Sequence, residues 1–151
     1  MFHPVPASAA SPEDHPSVPA ILARAETFFQ SMKARDYPAI FAALSAKSRE
    51  TIVAQTSSSL AATKTTASGR EAVYNDFAEG GPIAREYWDA FLRNFDPDAV
   101  LEQSRWEIGS VGKDRAVILL THHGADRPAV LKMFREDGDW KAGLVETFWS
   151  R

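Results

Sequence analysis

The side chains best suited to chemistry in this chain are few and scattered. His122 and His123 stand side by side near the end of a strand-like run, Glu146 lies among apolar residues close to the C-terminus, and Tyr37, Tyr87 and Asp36 fall in helix-like segments. Imidazole titrates near neutral pH, so either histidine is suited to general acid or base work, with Glu146 as a carboxylate partner. Adjacent strand residues point to opposite faces, so at most one of the two imidazoles enters any one pocket. Neither has a histidine or carboxylate at metal-ligand spacing, and His3 and His15 belong to a Pro-rich tail that holds nothing in place, so no metal and no cofactor is expected. Each candidate has an ordinary alternative: solvated histidines, and a Glu146 paired with Arg115, Arg127 or a helix arginine. Phosphate-loop, dinucleotide, zinc-protease and serine-hydrolase signatures are absent, and Gly80-Gly81 reads as a helix stop.

What could position these groups is set first by composition. A chain of 151 residues with 44% hydrophobic and 25% charged residues can build one real core. A net charge of −3 provides no broad positive field, so neither nucleic acid nor a membrane surface is an expected partner. With no cysteine, disulfides, thiolate metal sites and a cysteine nucleophile are excluded. No run reaches the length of a membrane span, and the start lacks the pattern of a secretory signal. The chain as written is expected to be cytosolic, or secreted or periplasmic if a leader has been removed.

Residues 1–17 carry Pro4, Pro6, Pro12 and Pro16 and read as an extended arm, leaving 18–151 as a single domain. Ser17 is placed to cap a first helix with Pro19 in its opening turn, and Ile21, Leu22, Ala25, Phe28, Phe29 and Met32 make its buried face. Asp36 caps a second helix containing Pro38, Ile40, Phe41 and Leu44. A short third helix follows Ser48 through Ile52 and Val53, and the Ser/Thr/Ala-rich stretch from Gln55 to Ser68 reads as a surface excursion. Ser68 to Glu71 matches a capping box for a helix ending at Gly80-Gly81. Pro82 then opens a helix whose Ile83, Tyr87, Trp88, Phe91, Leu92 and Phe95 form an aromatic stripe, more often core than cofactor box.

Beyond Val100 the period changes to two. Leu101 to Ile108, Arg115 to His123, Ala129 to Glu136 and Trp140 to Phe148 read as four strands of an antiparallel meander, with Asp137-Gly138 as a two-residue hairpin turn. That turn sets Glu136 opposite Asp139, Met133 opposite Ala142 and Leu131 opposite Leu144, so Leu131, Met133, Trp140, Ala142, Leu144, Glu146 and Phe148 share the core face. Trp106 and Ile108 join them, with either Val117, Leu119, Thr121 and His123 or, one residue slipped, Ile118, Leu120 and His122. Both alternations of the second strand are apolar, which suggests a strand covered on both faces, the outer one by a second copy.

The N-terminal helix with Phe28-Phe29, the junction Ala34-Arg35-Asp36-Tyr37-Pro38-Ala39-Ile40 and the closing Asp137-Gly138-Asp139-Trp140-Lys141 resemble the nuclear transport factor 2-like (cystatin-like) superfamily over residues 18–149. The resemblance implies an α+β fold, with N-terminal helices packed on a curved four-strand sheet to form a cone with a pocket at its open end. It implies homodimers through the sheet. The expected pocket is lined by Trp106, Thr121, Met133, Leu144, Glu146, Tyr87 and Phe91. The superfamily serves isomerases, dehydratases and non-catalytic binding domains alike, so fold does not choose among them. The isomerase set of a tyrosine, a protonated acid and a carboxylate base lacks its second acid here, and the dehydratase set does not align. The expectation is therefore a non-catalytic domain for a small apolar or amphipathic ligand or a protein partner. The alternative is a lyase or isomerase acting through His122 or His123, Glu146 and Tyr37 or Tyr87.

Overall fold

The computed structural model describes residues 12–63 and 69–149. Among the described residues it is an α+β fold of six α-helices followed by a four-strand antiparallel sheet in the order β1-β2-β3-β4. Among the described residues no helix is long and apolar enough to cross a membrane.

Helix α1 (Val18–Ala34) buries Ile21, Ala25, Phe28, Phe29 and Met32 along one face, as the spacing requires. Ser17 sits at its cap position without a capping bond from its side chain. Its N–H donates instead to His15 Nδ1 at 3.0 Å. Residues 1–11 of the expected arm, His3 included, lie outside the described residues, and Pro12–Asp14 form a 3-10 turn rather than extended chain. Helix α2 (Tyr37–Ala42) is capped as expected by Asp36, which accepts from the Ala39 N–H at 3.3 Å.

Helix α3 (Ala46–Ala62) departs from expectation. It starts at Ser45 instead of Ser48 and runs on through Gln55–Ala62, where a loop was expected. No Gly or Pro interrupts these residues, and Ala tolerates a helix well even where one face has little to bury. Residues 64–68, including the Ser68 of the expected capping box, lie outside the described residues; α4 (Arg70–Glu79) follows Gly69 with no side-chain cap. The expected stop at Gly80 holds. Its φ is +73° and a Cβ there would come within 2.8 Å of Pro38 Cδ, so backbone conformation and close approach both demand glycine. Helix α5 (Pro82–Leu92) then begins under a cap borrowed from α4: Asp76 Oδ1 accepts the Ala84 N–H at 2.7 Å.

A further short helix, α6 (Pro97–Glu102), occupies residues expected to open the first strand. Asp96 caps it and Pro97 takes its first position, so β1 covers Ser104–Val111 and Leu101 is helical. Strands β2 (Arg115–His122) and β3 (Ala129–Glu136) follow the predicted bounds closely. Asp137 and Gly138 both take positive φ, +52° and +83°, and the Glu136–Asp139 and Met133–Ala142 pairings are as predicted.

Two expectations about the sheet are corrected. A register shift between Ile108 and Ser110 sets the phase of β2, so Ile108 faces Ile118 and Trp106 faces Leu120. The core face of β2 is therefore Ala116, Ile118 and Leu120, the slipped alternative, while Val117, Leu119 and Thr121 face outward. Strand β4 (Asp139–Gly143) ends before Leu144 can pair with Leu131, and Val145–Trp149 coil into a π-helical turn. Phe148, expected on the core face, is 45% exposed.

The core lies between α1, α2, α4, α5 and the inward sheet face. Fully buried Trp88, Phe28, Phe29, Phe41 and Phe77 are its largest members. Phe77 stacks on Phe41 at 5.3 Å, Trp88 stands edge-on to Tyr87 at 4.8 Å and to Phe91 at 5.8 Å, and Phe29 meets Trp106 edge-on at 5.9 Å. These are the preferred aromatic geometries, and they fill the space between helices and sheet with rings.

Candidate functional site

The seven residues expected to line a pocket do not share one. Leu144 is buried in the filled core, and Met133, also buried, borders with Glu146 a groove that these two of the seven share. Trp106 is half-buried against Phe29, and its indole N–H donates to the Val100 carbonyl at 2.9 Å. Tyr87 and Phe91 belong to the aromatic cluster, where burial pushes the Tyr87 phenol well above its ordinary range. Thr121 lies on the opposite face of the sheet, displaced by the bulge in β1. Tyr37 donates to Asp89 Oδ1 at 2.7 Å beside Arg35, also 2.7 Å from that oxygen, and so ties the α1–α2 junction to α5. That hydrogen bond raises the pKa of Tyr37 and, with Arg35, lowers that of Asp89.

His122 and His123 are exposed, beside Thr121, Glu102 and Arg105 in a groove of about 590 Å³ at the far end of β2. At a rise of about 3.4 Å per residue they lie about 24 Å along β2 from Arg115, beside which Glu146 lies. No group of three or more His, Asp or Glu among the described residues could hold a metal ion.

Glu146 is held in a polar arrangement built from two buried serines. The chain reaches it through Leu44, which forms a parallel bridge to Ala142 on the free edge of β4. Ser45 N–H donates to the Ala142 carbonyl at 2.9 Å, and Ala142 N–H to the Ala43 carbonyl at 2.8 Å. This bridge delivers Ser45 to the start of α3, where its Oγ accepts the Ser48 N–H at 3.1 Å as an N-cap. Both serines are fully buried.

Each hydroxyl has a single proton to give, and Glu146 takes both. Ser45 Oγ donates to Oε2 at 2.6 Å and Ser48 Oγ to Oε1 at 2.7 Å, while Ser48 Oγ accepts the Val145 N–H at 3.0 Å. The carboxylate is thereby clasped at the N-terminal end of α3, where the helix dipole favours negative charge. Glu136 adds a second: its two oxygens receive the Ala46 N–H at 3.0 and 3.1 Å, and its Oε1 stands 3.8 Å from the Arg49 guanidinium. The expected pairing of Glu146 with Arg115 or Arg127 is not formed. With no imidazole beside them, the serines anchor a carboxylate and are not activated as nucleophiles.

Beside this clasp lies an open groove of about 650 Å³, walled by Lys47, Glu136 and Glu146. Its floor is the outward face of the sheet, where Arg115 pairs across from Phe134 and Val117 from Lys132. Ser45, Lys47 and Lys132 carry no sequence expectation, and Ser48 only that of a helix start. The signal available was Ser45-Ala46-Lys47-Ser48, the spacing of a cap serine and a third-position partner. Compared with protein-family models, with curated proteins and with solved structures, the chain matches none of them.

Proposed function

We propose that this chain is a non-catalytic binding domain of the nuclear transport factor 2-like kind, which takes a small amphipathic molecule in the open groove on the outward face of its sheet. The superfamily reading is supported by the order of elements: helices with the Asp36-capped junction first, then a four-strand meander closed by Asp137-Gly138. The observation that carries the functional reading is where the space lies. The inward face, where a cone pocket was expected, is packed with Trp88, Phe28, Phe29 and Phe77, whereas about 650 Å³ is open on the outward side. A non-catalytic role is supported by the separation of the acid–base candidates, since the histidines and Glu146 occupy opposite ends of the sheet and each Glu146 oxygen is already engaged by a serine hydroxyl.

Native mass spectrometry of freshly purified full chain tests this directly. A small molecule that co-purifies and is released on denaturation is the expected result; a bare chain that also takes up no amphiphile from solution would count against it. A second reading, a homodimer through the sheet, draws support from outward Leu119 and from Val130, 39% exposed. Sedimentation at micromolar concentration should then show a dimer, and a monomer at every concentration would remove that reading.

A further inference from the structure

We propose that the outward groove selects an amphipathic anion, with a carboxylate head between Arg115, Lys132 and Lys47 and an apolar tail on Val117 and Phe134. This rests on the binding reading above and narrows it to a ligand class.

The charge balance of the groove carries the inference. Arg115, Lys132 and Lys47 line it, and none makes an ion pair or side-chain hydrogen bond among the described residues, whereas Arg24, Lys33 and Arg35 are each paired with a carboxylate elsewhere and Arg49 with Glu136 at the groove wall. The groove contains two carboxylates, yet both are already engaged: Glu146 by the hydroxyls of Ser45 and Ser48, Glu136 by the Ala46 N–H and Arg49. Three cations thus line an open groove together with two carboxylates, and none of the three is ion-paired to either acid. An arginine beside a lysine favours an oxyanion, because the guanidinium fork meets both carboxylate oxygens at once.

The register supplies the other half of the ligand. Arg115 opposite Phe134 and Lys132 opposite Val117 place charge and apolar surface diagonally on one face, within one cross-strand neighbourhood. The Phe134 ring lies against Gly143, where a Cβ would come within 2.5 Å of its Cε2, so the missing side chain leaves room for the ring to rest on β4. The aliphatic stems of the lysines extend that apolar surface while their heads stay in water. A head bound among the cations therefore leaves its tail on Phe134 and Val117.

The test is calorimetric titration of the full chain with laurate below its micelle concentration, beside dodecyl maltoside, which has the same tail and no charge. Laurate should bind one to one, more weakly as salt is raised, and should lose roughly tenfold or more in affinity in the Arg115→Glu/Lys132→Glu double variant. An Arg93→Glu variant, outside the groove, should bind as the parent does, and circular dichroism checks that both variants are folded. Equal laurate affinity in the double variant would overturn the site. Dodecyl maltoside binding as tightly as laurate would overturn the anion preference while leaving a binding groove in place. If neither amphiphile binds and nothing co-purifies, this assignment and the binding reading fall together.

Discussion

Two buried regions of this molecule are built on opposite principles. Around Trp88 the interior is apolar, assembled from rings that touch edge to face, and the indole N–H at its centre has no oxygen or nitrogen partner among the described residues. Around Ser45 and Ser48, also fully buried, the polar atoms form a closed chain from backbone N–H through hydroxyl to carboxylate. The first region stabilises in proportion to area and contact, with little directionality. The second contributes less in total but fixes geometry: it joins the start of α3, the edge of β4 and the C-terminal turn, and so shapes the wall of the outward groove. Bulk stability and groove geometry should therefore be separable by mutation.

The largest effect is expected in the aromatic region. Trp88→Ala removes a fully buried indole that contacts Phe77, Tyr87 and Phe91, and should cost about 3–5 kcal/mol in urea denaturation. A loss under about 1 kcal/mol would mean that the site collapses around the deletion, and the contrast with the clasp would fail.

The clasp should respond next. Ser48→Ala strips one donor from Glu146 and the acceptor of the Val145 N–H in a buried setting, for an expected loss of about 2–3 kcal/mol. Unlike the tryptophan change, it should also loosen residues 145–149, seen as faster amide exchange there than in β2. Uniform exchange across both segments would show that the clasp has no local role.

The same contrast explains what could be read from the sequence. The aromatic region was legible because its members recur at helical spacing within single helices, as in Ile21, Ala25, Phe28 and Met32, or Tyr87, Trp88 and Phe91. The last hairpin was legible because Asp137-Gly138 fixes its register locally. The clasp was not, since it joins Ser45 and Ser48 to a glutamate 101 and 98 residues away, and no local periodicity encodes that meeting. The phase of β2 was ambiguous because both alternations are apolar, and only the bulge at Gly109, where a Cβ would crowd Leu119 at 3.2 Å, settles it. Helix α3 was under-read beyond Val53 because Ser, Thr and Ala leave almost no apolar stripe, although nothing in that stretch breaks a helix.

The smallest effect expected is confined to alkaline pH and belongs to the aromatic region. Tyr87 is half-buried among rings, and desolvation raises its pKa from 10.0. In the unfolded chain its phenol ionises near that ordinary value, while the folded chain keeps the proton to higher pH. Its contribution to stability is therefore fully present below about pH 10 and is lost as pH rises through the folded-state pKa, by at most about 1.4 kcal/mol per pH unit. Tyr87→Phe should be within about 0.5 kcal/mol of the parent at neutral pH, since the hydroxyl has no hydrogen-bond partner among the described residues. Between pH 10 and 11.5 its stability should fall less steeply than the parent's. It should still fall, because Tyr37, raised chiefly by its hydrogen bond to Asp89, and Lys33, raised by Asp98 and Glu102, titrate in the same direction. Urea midpoints at half-unit steps of pH provide the measurement. Parallel curves for parent and variant would show that the Tyr87 phenol is as well solvated folded as unfolded, and would place an opening in the ring cluster that otherwise fills the inward face.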